Sequence, residues 1–256
     1  MTPALAATRA ITWATNAPLP IARGALSTVE GPDGRVYAIG GFDSGFTNAL
    51  DTVEAYSART NTWRTVAPLP TARGDLAAAV GPDGRIYAYG GYDTNGNALA
   101  TVEAYDPRTN VWSTAASMQT GRANFAGARG GDGRLYAIGG FDENGNLLQS
   151  VEAYDFHTGR WTYVAPLPFP ISDERATTGR DGRIYVLGGC CDASGNFLST
   201  VDVYDPWTNS WTTAAPMPEA LGVMGTVTTP KGRILSIGGF NGLAVVATLQ
   251  IYDPSS

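Results

Sequence analysis

Asp83-Gly84-Arg85-Ile86-Tyr87-Ala88-Tyr89-Gly90-Gly91 decides the fold, because the chain carries five variants of it. Its Gly-Gly doublet recurs at Gly40-Gly41, Gly90-Gly91, Gly139-Gly140, Gly188-Gly189 and Gly238-Gly239, at intervals of 50, 49, 49 and 50 residues. A fixed period of about 50 residues is the signature of a repeat array. A further doublet, Gly130-Gly131, is out of register and reads as part of a turn.

Working outward, each doublet follows a short strand-like run such as Arg35-Val-Tyr-Ala-Ile. Before each run stands Asp33-Gly34, Asp83-Gly84, Asp132-Gly133, Asp181-Gly182 or Lys231-Gly232. Asp-Gly predicts a two-residue hairpin with both central residues at positive φ. Beyond the doublet come a polar loop and a third strand ending in Tyr56, Tyr105, Tyr154, Tyr204 or Tyr252. Seven residues after the first four stand Trp63, Trp112, Trp161 and Trp211, each opening a fourth strand. That strand stops at proline-rich exits such as Ala67-Pro-Leu-Pro, because proline donates nothing to a sheet ladder. One repeat is therefore a four-stranded antiparallel meander. Tyr252 lacks its tryptophan, while residues 11–20, with Trp13 and Ala17-Pro-Leu-Pro, form a fourth strand with no repeat before it. The N-terminal strand is expected to complete the last repeat, closing a ring and removing two open edges.

The pattern of Gly-Gly, Tyr-Asp-Pro and a tryptophan six residues past the aspartate resembles the kelch repeat over residues 11–254. Ser57 and Phe156 depart from it, and the fifth repeat has no tyrosine before its doublet. The resemblance implies an all-β, five-bladed β-propeller with four antiparallel strands per blade. The expected organisation is a single domain, 1–256, with blades at 21–70, 71–118, 119–168, 169–218, and 219–254 plus 11–20. Blades of this kind are not stable separately. Kelch relatives commonly bind a partner on the face around the central channel, which implies a protein, peptide or carbohydrate ligand there.

Composition narrows the function. The net charge is −6, Lys231 is the single lysine and no basic run occurs, which argues against nucleic acid. No apolar stretch approaches the roughly 20 residues that span a bilayer. Residues 1–10 lack the apolar core of a signal peptide, which favours a cytoplasmic monomer. Cys190 and Cys191 are adjacent, with Cα atoms about 3.8 Å apart, below the usual disulfide range. They read first as a reduced, inert pair; a redox or metal-binding pair and a strained disulfide are the alternatives. His157 is the only histidine, so no metal and no cofactor is expected. The loops Asp93–Asn97, Asp142–Asn146 and Asp192–Asn196 read as Asn-Gly or Ser-Gly turns rather than calcium loops, since the distal glutamate is absent.

A repeat protein shows its site where its symmetry breaks. The doublet loops and the connections between blades share one face. Seventeen residues before each doublet stand Arg23, Arg73, Arg122, Ile171 and Leu221; two residues on stand Ala25, Asp75, Asn124, Asp173 and Val223. Tyr92 and Phe141 follow their doublets directly. These residues form the candidate mouth, with a basic sector at Arg23, Arg73 and Arg122, polar groups at Asp75, Asn124 and Asp173, and an apolar sector at Ile171, Leu221 and Val223. The basic sector predicts an anionic ligand. The competing reading pairs the three arginines with loop residues Asp43, Asp93 and Asp142. The turn arginines Arg35, Arg85, Arg134, Arg183 and Arg233 are expected to pair with Glu54, Glu103, Glu152, Asp202 and Gln250. The leading function is a binding scaffold. The alternative is a mutarotase-like or isomerase-like enzyme at the channel mouth, with Asp173, Glu174 or Arg175 recruited.

Overall fold

The computed structural model describes residues 15–190 and 195–255. Five antiparallel sheets stand around a central channel. The first runs Ser27–Glu30, Val36–Ile39, Val53–Ser57 and Thr62–Thr65, from channel to rim. Blade two is Ala77–Val80, Ile86–Tyr89, Val102–Asp106 and Val111–Ala115; blade three is Ala126–Arg129, Leu135–Ile138, Val151–Asp155 and Arg160–Val164. Blade four is Arg175–Thr178, Ile184–Leu187, Val201–Asp205 and Ser210–Thr213. Among the described residues blade five has three strands, Gly225–Thr228, Ile234–Ile237 and Leu249–Tyr252.

The second strands of blades two, three and four are buried along their whole length, as expected of strands with a neighbouring blade on each face. The hairpin turns differ from the two-residue type. Gly34 has a φ of 73° and its N–H donates to Gly31 O at 3.0 Å, while Asp33 is not in the left-handed region. This is a tight turn with Pro32 at its second position, followed by a left-handed glycine. The Asp33 carboxylate then reaches forward along the strand, accepting from Arg35 Nε at 2.7 Å and from Tyr37 Oη at 2.9 Å. The turn arginines of blades one to three thus pair with the turn aspartates Asp33, Asp83 and Asp132, not with third-strand acids. Arg183 lies near both Asp181 and Asp205, and Arg233 near Asp253.

Neighbouring blades clasp through the repeat tryptophan. Trp112 Nε1 donates to Ala67 O at 2.9 Å, Trp161 to Ala116 at 3.0 Å and Trp211 to Ala165 at 2.9 Å. Asn110 and Asn209, both left-handed, accept from Ala67 N and Ala165 N. Blade one repeats this arrangement with the N-terminal segment. Trp63 Nε1 donates to Ala17 O at 3.0 Å, and Ala17 N donates to Asn61 Oδ1 at 2.8 Å. Ala17 therefore stands where every other outer strand leaves its blade. Trp13 and the strand expected over 11–14 lie outside the described residues.

Deletion of residues 1–20 removes the clasp on Trp63 and is expected to abolish cooperative unfolding or cause aggregation. Differential scanning calorimetry and gel filtration check this; an unchanged melting temperature in a soluble monomer would contradict it.

Candidate functional site

The doublets build the mouth. Gly41 N donates to Arg73 O, Gly91 N to Arg122 O, Gly140 N to Ile171 O and Gly189 N to Leu221 O, all at 2.8–2.9 Å. Each of the first four doublets thus holds the connection leading into the next blade. The approach requires glycine: a Cβ on Gly40 would lie 2.4 Å from Arg73 O, and one on Gly41 would lie 2.6 Å from Gly24 O. Both residues also have positive φ.

The residues two positions past each arginine site form a ring. Asp75 N donates to Ala25 O at 2.8 Å, Asn124 N to Asp75 O at 3.3 Å, Asp173 N to Asn124 O at 2.9 Å and Val223 N to Asp173 O at 2.9 Å. All five have φ between 50° and 57°. A left-handed conformation at Ala25 and Val223 is costly, and persists because the surrounding backbone dictates it. The ring brings the backbones of Asp75, Asn124 and Asp173 together, with Val223 exposed beside them. Tyr92 is half-buried, and its hydroxyl is pushed up by burial and by Asp75, Asp173 and Asp142. Phe141 is half-buried and bridges Ala123 and Leu147 through its backbone.

Other expectations are corrected. Arg23, Arg73 and Arg122 do not face the mouth. Their side chains are fully buried and pair with Glu54 at 2.8 Å, Glu103 at 3.2 Å and Glu152 at 2.8 Å. Arg122 also donates to Gly139 O and Ser150 O, and Arg73 to Gly90 O and Thr101 O. The guanidinium turns into its own blade because the carbonyls there need donors. The loop aspartates are used locally: Asp43 accepts from Thr47 and Asn48, Asp93 from Asn95 and Asn97, Asp142 from Asn144 and Asn146. Ile171 and Leu221 are buried in the core, so they form no apolar sector of the mouth. Cys190 is disulfide-bonded rather than reduced; the chain's other cysteine, Cys191, lies outside the described residues.

Blade four carries the break in symmetry that sequence reading underweighted. Glu174 stands where the other blades have Leu26, Leu76, Phe125 and Met224. It is fully buried; Oε1 accepts from Ala126 N at 3.1 Å, and Oε2 has no hydrogen-bond partner among the described residues. Burial pushes its carboxyl up to about 8, against the pull of these backbone bonds and of Arg175. Being sealed, Glu174 is unsuited to the acid–base role considered for it. Arg175 stands where the others have Ser27, Ala77, Ala126 and Gly225. It enters a channel cavity of about 440 Å³ also lined by Asp75, Asn124, Ala126 and Val223. Aligning the first-strand positions shows this substitution directly, since one long cation replaces a small residue. Burial raises the Asp75 carboxyl to about 6, opposed by Arg175 and reinforced by Asp173. Among the described residues no cluster of histidine, cysteine, aspartate and glutamate is arranged to hold a metal ion, and no helix is long and apolar enough to cross a membrane.

A family model described as Attractin/LZTR1 beta-propeller matches residues 36–242. No curated protein matches the sequence. A solved structure titled "Structure of YjhT" is similar, with a TM-score of 0.84 and 18% identity, over 97% of this chain and 87% of that one. At that identity the likeness speaks for the fold.

Arg122→Leu leaves Glu152 buried without its cation and is expected to cost about 3–5 kcal/mol. Adding Glu152→Gln, which copies Leu221 and Gln250 of blade five, recovers much of the loss; a double-mutant cycle by chemical denaturation measures it. Glu174 is raised in the folded state, so its contribution is fully present below the unfolded value near 4.5 and is lost as pH rises towards about 8. Glu174→Gln is therefore neutral near pH 4.5 and stabilising by a few kcal/mol, on the order of the shift at about 1.4 kcal/mol per unit, near pH 8. Melting curves from pH 4.5 to 8 check the sign; a difference that shrinks with pH contradicts it.

Proposed function

The chain belongs to the Attractin/LZTR1 β-propeller family, a kelch-type propeller, and from that premise we propose that it is a binding module whose ligand enters the channel mouth. The observation that carries this reading is Arg175. Four inner strands begin with small residues, and that of blade four sends a guanidinium into a cavity that also holds Asp75 and Asn124. A concave site with a few convergent polar groups is what ligand pockets consist of. The fivefold frame supports the site by fixing its backbone through the ring of left-handed residues.

The geometry also supports a second reading. Asp75, raised to about 6 and facing Arg175's cavity, is suited to exchanging protons near neutral pH. It replaces Asp173 and Glu174 as the acid–base candidate for an isomerase-like activity.

Peptide and glycan arrays probed with wild type, Arg175→Ala and the far-face control Arg108→Ala test the proposal. Bound classes should disappear with Arg175→Ala and persist with Arg108→Ala. A folded Arg175→Ala protein that keeps every bound class would move the site off the channel.

A further inference from the structure

The cavity holds charges of both signs that do not neutralise each other. Arg175 donates one hydrogen bond, from Nη1 to Glu174 O at 2.9 Å. Burial raises the Asp75 and Asp173 carboxyls and Arg175 lies near enough to oppose that rise in both, yet among the described residues it forms no ion pair within 4.0 Å. Asp75 accepts no side-chain hydrogen bond among the described residues, and Asn124 Oδ1 is buried with no partner. Three polar groups facing one cavity thus retain unused capacity: a cation with spare donors, a carboxylate and an amide oxygen. The remaining wall carries no charge: small residues such as Ala77 and Gly225 stand beside the larger apolar Phe125, Val223 and Met224 and the hydroxyl-bearing Thr28 and Thr226.

Resting on the channel-mouth reading, we propose that the channel takes a small dipolar molecule, its carboxylate on Arg175 and its ammonium group on Asp75 and Asn124 Oδ1. The guanidinium fork matches a carboxylate with two parallel donors. An ammonium group carries three donors, enough for the carboxylate and the amide oxygen together. A ligand of one sign would satisfy one wall and leave the opposite charge partly desolvated and uncompensated, which is unfavourable. A cavity of about 440 Å³ lies in the range of small-molecule sites. It is too small to be the main contact of a stable protein interface, which spreads over more than 1,000 Å² of surface by general survey, at roughly 800 Å² per partner.

Isothermal titration of the intact chain tests this with five probes: glycine, β-alanine, propionate, propylamine and glucose. At least one of the two amino acids should bind, with propionate, propylamine and glucose at least about tenfold weaker. Arg175→Gln and Asp75→Asn should each weaken amino-acid binding by at least about tenfold. Should either variant fail to fold, the ranking of the five probes on wild type still decides. If propionate or glucose binds as well as the amino acids and is lost in Arg175→Gln, the dipolar inference falls while the channel-mouth reading stands. If amino acids bind equally to wild type and both folded variants, both fall. If no probe binds, the dipolar inference falls, and the arrays with Arg175→Ala decide the channel-mouth reading independently.

Discussion

The bond from the second glycine of each of the first four doublets to the carbonyl entering the next blade is the constraint on which the rest depends. It joins blades one to two, two to three, three to four and four to five. In blades two and three the same entering residue is an arginine, whose guanidinium reaches the carbonyl of the next doublet's first glycine. The first two junctions are thereby each tied to the one after. Among the described residues the fifth doublet makes no such bond to Arg23, and blade one is held instead through Ala17.

Departures from the repeat come in matched sets. Where the arginine becomes Ile171, its glutamate partner becomes Asp202; where it becomes Leu221, the partner becomes Gln250. In blade five the pair is removed as a unit, because an unpaired buried charge is far worse than none; blade four loses only the cation, and burial pushes the carboxyl of the buried Asp202 up. Blade five shows what remains. Thr248 Oγ1 and Gln250 Nε2, at the positions that Thr101 and Glu103 hold around Arg73, are buried without partners among the described residues, as is Ser236 Oγ. Ser236 and Gln250 line a cavity of about 180 Å³ between blades four and five, large enough and polar enough for water. Blade four makes the opposite change, adding Glu174 and Arg175 where its neighbours are apolar or small.

Much of the fold was legible because glycine doublets, Asp-Gly turns and Tyr–Trp spacing report backbone geometry that few other residues adopt. Turn type was less legible, since Asp-Gly serves both a two-residue hairpin and the longer turn that Pro32 and Pro82 favour. The pairing of charges was misread for a physical reason. Arg23 stands opposite Asp43 in register, yet its side chain turns inward to Glu54. Linear spacing gives the backbone neighbour, not the direction of a long side chain. Both candidate partners vary together with the arginine along the chain, so the covariation did not separate them. The ring positions of Asp75, Asn124 and Asp173 were legible because the repeat sets them, whereas Arg175 was named only as a member of an irregular loop and its place among small first-strand residues was missed.

The proposed site combines a regular frame with one local asymmetry. The frame holds five left-handed residues in a ring, and the asymmetry places a cation among small side chains inside it. That arrangement rests on the junctions being locked. Native-state hydrogen exchange at the amides of Gly41, Gly91, Gly140 and Gly189 measures the lock directly. The account predicts that these four loop amides are protected as strongly as the second-strand amides of Tyr87 and Tyr136. Exchange at the rate of exposed loop amides such as Asn144 would contradict it.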